Sequence, residues 1–178
     1  LEIIREALIA EGTPAPQADL ASRLSSGSFN NALDLSGPDI EKVQESVVGF
    51  LRTAAVRIPL DLPESAAGLL ATGTLPDLAG LEMLGLLLRD AAILQASAAA
   101  AKQKRLVFGT LEDKVQKVIS AYPGARFDEA VRAVDESVEY LTRGYTKDMV
   151  LYALAVRLNE ALGERARTKQ FVTATHHA

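Results

Sequence analysis

Cysteine and tryptophan are both missing from this sequence, and the aromatic fraction is only 5%. Without cysteine there is no disulfide framework, no thiolate nucleophile and no thiolate metal site, which fits a reducing cytoplasm. With so few aromatics, the hydrophobic fraction of 48% is mostly Leu, Ala, Val and Ile. Ala and Leu are strong helix formers, so this composition points to an all-α protein. Histidine is nearly as scarce. His176 and His177 are the only two, adjacent at the C-terminus with no third ligand beside them, and they imply a frayed tail rather than a metal centre. Charge of one sign is lacking too. The 19 Lys and Arg against 23 Asp and Glu leave a net charge of −4, which gives no general attraction to nucleic acid or to an anionic membrane.

Uninterrupted hydrophobic runs are also missing. The least polar region, residues 65–101, still contains Asp77, Glu82, Arg89 and Asp90. A membrane span needs about 20 apolar residues with few or no charges. The Arg89–Asp90 pair in mid-run therefore argues for a buried helix of a bundle and against a membrane partner. No phosphate-binding loop can be read, because the glycines are scattered and none precedes a Lys-Ser/Thr pair. The carboxylate pairs Glu112/Asp113 and Asp128/Glu129 fall in the first turns of expected helices, where the helix dipole favours negative charge. The basic clusters "KQKR" (102–105) and "ERARTK" (164–169) are short and sit at expected helix ends. None of these calls for catalysis, and the expectation is a chain with no catalytic residue, cofactor, metal or small-molecule substrate.

What is present is a series of helical patterns separated by clear breaks. Residues 1–11, 17–24 and 28–35 carry three short helices. The third opens with Gly27-Ser28, a glycine that lets the chain bend followed by a serine placed to cap. "SGPD" interrupts at 36–39, with Asp39 the expected cap of a longer helix bearing Val43, Val47, Phe50, Leu51 and Ala54 at three- and four-residue spacing. "IPLDLP" stops that helix. A short segment at 66–71 and the break "TGTLPD" lead to an expected longest helix at 78–103. Helices at 111–121, 127–143 and 146–162 follow, separated by "YPGAR" and "RGYT". The pattern begins inside a helix at Leu1 rather than at a methionine, so the chain reads as a piece of a longer protein. Two regions result: 1–37, too small to fold by itself, and 38–178, a helical bundle.

The last helix, "TKDMVLYALAVRLNEAL", is apolar around most of its circumference. Val150, Leu154, Leu158 and Ala161 make one face, while Met149, Tyr152, Val156 and Leu151, Ala155, Leu162 extend it. A surface helix normally keeps a polar half. A second buried face is therefore expected, against another helix of the chain or against another subunit. Met149, Tyr152, Val156 and Asn159 are the candidate interface positions.

Three segments in order carry a family resemblance: "ADLASRLSSGSFNNALDLSG", then "MLGLLLRDAAILQ", then "AVDESVEYLTRGYTKDMVLYALAVRLNEAL". Together they resemble the C-terminal part of a bacterial DNA polymerase III clamp-loader subunit, most like the delta-prime type. The resemblance implies the end of an AAA+-type lid domain at 1–37 and a helical collar, the oligomerisation domain, at 38–178. It implies a non-catalytic role: holding the subunit in the pentamer that loads the sliding clamp on DNA during replication. The partners would be gamma/tau and delta type subunits through the collar, with DNA and the clamp reached only through the complex. In ATP-hydrolysing members the lid helix begins Gly-Ser-x-Arg-Asp-Ala-Leu, and its Arg reaches the nucleotide phosphates. Here that frame reads Gly27, Ser28, Phe29, Asn30, Asn31, Ala32, Leu33. Asn30 at the sensing position is short and uncharged, and cannot offset a phosphate. This favours delta-prime over a gamma/tau-type fragment. The other reading from the residues is an unrelated all-α adaptor or ligand-binding regulator.

Without a phosphate loop, and with Asn30 in the sensing position, the chain is expected not to bind ATP. Titration calorimetry with a slowly hydrolysed analogue should give no binding heat for the wild type or for Asn30→Arg. Micromolar affinity in either would overturn this.

Overall fold

The computed structural model describes residues 1–25, 27–37, 39–56, 66, 68–70, 78–96 and 112–174. Among them the backbone is helical with connecting turns and contains no strand, which bears out the all-α expectation. No described helix is long and apolar enough to cross a membrane. The breaks "IPLDLP" and "TGTLPD", the 97–103 end of the mid-chain helix, the "KQKR" cluster and the two histidines lie outside the described residues.

The chain opens with α1 (Glu2–Ala10), α2 (Ala15–Leu24) and α3 (Phe29–Leu35), each packed on the other two. Gly27 has φ 86°, a left-handed conformation that glycine adopts without steric penalty. The turn it makes sets Ser28 as the N-cap of α3, where the Ser28 hydroxyl accepts the Asn31 N–H at 3.4 Å. The next helix, α4 (Asp39–Val56), starts at Asp39 itself, so Asp39 is its first residue rather than its cap. The Gly37 carbonyl already accepts the Ile40 N–H at 3.2 Å and begins the turn earlier than the sequence suggested.

The bundle is completed by α5 (Ala79–Ala96), α6 (Glu112–Ala121), α7 (Phe127–Thr142) and α8 (Lys147–Ala174). The centre is α5. It packs on α4, α6 and α7, and α8 lies against α7 and α4. Leu81, Met83, Leu84, Leu87 and Leu88 of α5 are all buried, as befits a helix with neighbours on several sides. Each such side chain contributes about 1.5–3 kcal/mol relative to exposure. Among the described residues, buried hydrophobic side chains from Leu8 of α1 to Leu162 of α8 form one cluster.

Among the described residues α8 is the longest helix, with 28 residues against 18 in α5. The expected stop at 162 fails because nothing there breaks a helix. Gly163 is an isolated glycine, weakening by only about 1 kcal/mol, and the residues after it, "ERARTKQ", include several good helix formers and no proline.

Two glycines test the packing in opposite senses. A Cβ on Gly80 would overlap the backbone carbonyl of Leu69, so α5 can approach that segment only because residue 80 has no side chain. A Cβ on Gly49, in the middle of α4, would meet nothing within 4 Å. Gly49→Ala should therefore stabilise the fold by up to about 1 kcal/mol through helix propensity. Gly80→Ala should destabilise it by about 1–3 kcal/mol despite the same propensity gain. Urea unfolding of the two variants beside wild type checks both signs.

Candidate subunit interface

The position of α8 is fixed on its two flanks by polar contacts. On one side Arg157 pairs with Glu136 of α7. The bond from the Arg157 guanidinium holds the Glu136 carboxyl below its ordinary 4.5 and raises the Arg157 guanidinium in turn. A carboxyl with a lowered folded-state pKa stabilises above its unfolded value, so this pair acts at neutral pH and fades only as the pH falls below about 4.5. It is a surface pair, largely solvated, and positions the helix more than it stabilises it.

On the other flank, Asn159 donates from its amide to the carbonyls of Ala54 and Ala55, at 2.9 and 3.0 Å. Those carbonyls belong to the last described turn of α4, and residue 59, four on from Ala55, is a proline with no N–H to offer. Asn159 is only 7% exposed. It was expected on the interface beside Met149, Tyr152 and Val156, and the structure corrects this. At 100° per residue Asn159 falls on the edge of the buried stripe, and the bare carbonyl ends of α4 draw its amide inward.

With these flanks set, the inner surface is accounted for. Val150, Leu154, Leu158 and Ala161 are buried, as are Leu151, Ala155 and Leu162 on the Asn159 side. The two apolar stripes thus serve two neighbours within the chain, α7 and α4. A third strip remains uncovered: Met149 is 73% exposed, Tyr152 59% and Val156 41%.

Two tyrosines that the sequence did not single out are exposed at the turn that leads into α8. Tyr140, near the end of α7, and Tyr145, just before α8, are both exposed, with ring centroids 5.3 Å apart and a tilt of 59°. The turn between them has Gly144 at φ 83°, and the Tyr145 N–H returns to the Tyr140 carbonyl at 3.1 Å. This closure of the helix end brings the two rings together. Tyr140 is also among the groups that raise the Arg157 pKa, which places it near that flank of α8. Two tyrosines flanking one Arg-Gly turn, in a chain this poor in aromatics, were the signal available in the sequence.

Asn30 is exposed on the first turn of α3. The Asp128 and Glu129 carboxylates pair with Arg132 at 3.5 Å and Arg126 at 2.7 Å, which accounts for them as surface ion pairs. Among the described residues no group of His, Asp and Glu is placed to hold a metal ion. No family model, curated protein or solved structure matches the chain.

Removing the Asn159 amide takes a donor from the buried Ala54 carbonyl and from the part-buried Ala55 carbonyl. Asn159→Leu should lower stability by about 1–3 kcal/mol, and Asn159→Asp by more at neutral pH because a carboxylate facing two carbonyls cannot donate. Thermal melting at pH 7 ranks the two.

Proposed function

We propose that this chain is a non-catalytic assembly module, the lid-and-collar part of a bacterial DNA polymerase III clamp-loader subunit of the delta-prime type. Residues 1–37 would be the lid end and residues 38–178 the collar. It would act in the cytoplasm, joining gamma/tau and delta type subunits through α8 and reaching DNA and the sliding clamp only through the assembled loader. The observation that carries this reading is the strip of Met149, Tyr152 and Val156 left uncovered on an otherwise well-buried bundle helix, with Tyr140 and Tyr145 exposed at the turn that precedes it. Exposed apolar surface rich in Tyr and Met is the composition of a protein interface core. Asn159 is withdrawn from it.

A second uncovered apolar face supports the lid assignment. Ile3 of α1 and Phe29 and Leu33 of α3 are exposed, which suits helices that pack on an ATPase-type domain. Asn30, neutral and solvent-facing, suits a subunit that holds the lid scaffold without sensing nucleotide.

If α8 is the partner surface, Tyr152→Asp and Val156→Asp should melt like wild type, since both side chains are exposed. Either should weaken assembly with gamma/tau and delta type subunits roughly a hundredfold, the effect of a charge forced into an interface core. Melting curves and a pull-down with purified partner subunits decide it. Normal melting with normal assembly would overturn the proposal.

A further inference from the structure

Among the described residues a half-open groove of about 830 Å³ lies between α2, α4 and α6. It runs along one face of α4 from Ile40 to Arg52, about 18 Å or three helical turns at 1.5 Å per residue. Leu20, Ile40 and Leu51 are buried residues along its base, with Val48 and Val118 more open. This is an apolar trough of the length that a short helix fills with three or four side chains.

Gly49 gives the trough its depth. It lies midway along the groove, and its open side meets nothing within 4 Å. A mid-helix glycine weakens α4 by about 1 kcal/mol relative to alanine, and the packing of this chain does not require it. What the missing side chain leaves is a notch where another backbone can come close to α4.

The charges on the rim indicate the kind of partner. Arg52 on α4 and Lys117 on the α6 wall are exposed and form no ion pair among the described residues. Arg52 faces the Tyr122 hydroxyl, which also lines the groove. Glu45 stands about two turns before Arg52 as the one acidic side chain among the described lining residues. Arg52 and Lys117 complement acidic side chains placed beside an apolar stripe on the occupant.

We infer that the α2–α4–α6 groove docks an acidic amphipathic helix of a partner protein, its apolar stripe over Val48 and Gly49 and its carboxylates against Arg52 and Lys117. This contact is separate from the α8 strip and does not depend on the clamp-loader reading. Because the ion pairs lie on an exposed rim, binding should weaken as salt is raised.

The test is a display selection of sixteen-residue peptides on the whole chain, with Arg52→Glu/Lys117→Glu as counter-selection. Enriched peptides should carry apolar residues at i, i+3 or i+4, and i+7, flanked by Asp and Glu. A synthesised winner, measured by fluorescence anisotropy, should bind at least tenfold more weakly to the double charge reversal. Its Lys-for-Glu counterpart should recover that loss. Gly49→Phe should block binding while circular dichroism stays that of wild type, and Tyr152→Asp should leave binding unchanged. No enrichment over the counter-selection variant, or enriched peptides that bind it equally, would overturn the inference. So would self-association in sedimentation that the charge reversal abolishes, since a second copy of the chain would then be the occupant.

Discussion

The close approach of α5 to its neighbours is the constraint on which the rest of the bundle depends. A helix that is apolar on nearly every side must be surrounded, and α5 is, by α4, α6 and α7. Glycine and small residues make that possible. Gly80 admits the Leu69 backbone, and Gly85 would place a Cβ 3.3 Å from the Val134 side chain of α7. The facing positions of α7, Ala130, Ala133 and Ser137, are small and buried. Dense helix packing of this kind leaves little room for volume change.

The arrangement around α5 then determines what α8 can do. Once α4 and α7 have docked on the centre, they present a valley for α8, with the last-turn carbonyls of α4 on one wall and Glu136 on the other. A helix in a valley has two buried flanks and one outward strip. That outward strip carries methionine, tyrosine and valine, with Glu160 the charge beside them. The same logic locates the groove on the other side of α4, where α2 and α6 stand apart as walls.

Polar contacts hold the registers of this apolar assembly. The Arg126 N–H meets the Ala161 carbonyl at 2.9 Å and its guanidinium reaches the Glu160 carbonyl at 3.1 Å, tying the start of α7 to the middle of α8. Gln95, in the last described turn of α5, donates to the Ala125 carbonyl at 3.3 Å. Hydrogen bonds of this sort add modestly to stability, but they are directional where apolar burial is not.

Much of the architecture was legible in the residues alone. Helical spacing of Leu, Ala and Val placed the helices, and Gly27-Ser28 placed the α3 cap, because periodicity and capping are local properties of a chain. The apolar excess of the last helix was legible for the same reason. Which part of that excess is covered was decided only by tertiary structure. Asn159 looked like a neighbour of Tyr152 on the helix wheel, yet the orphan carbonyls of α4, over a hundred residues away in sequence, turned it inward. The pairing of Tyr140 with Tyr145 required the geometry of the Gly144 turn. The groove required three helices from distant parts of the chain. A sequence fixes the period of its apolar faces, but only the packed fold determines which neighbour, if any, each face meets.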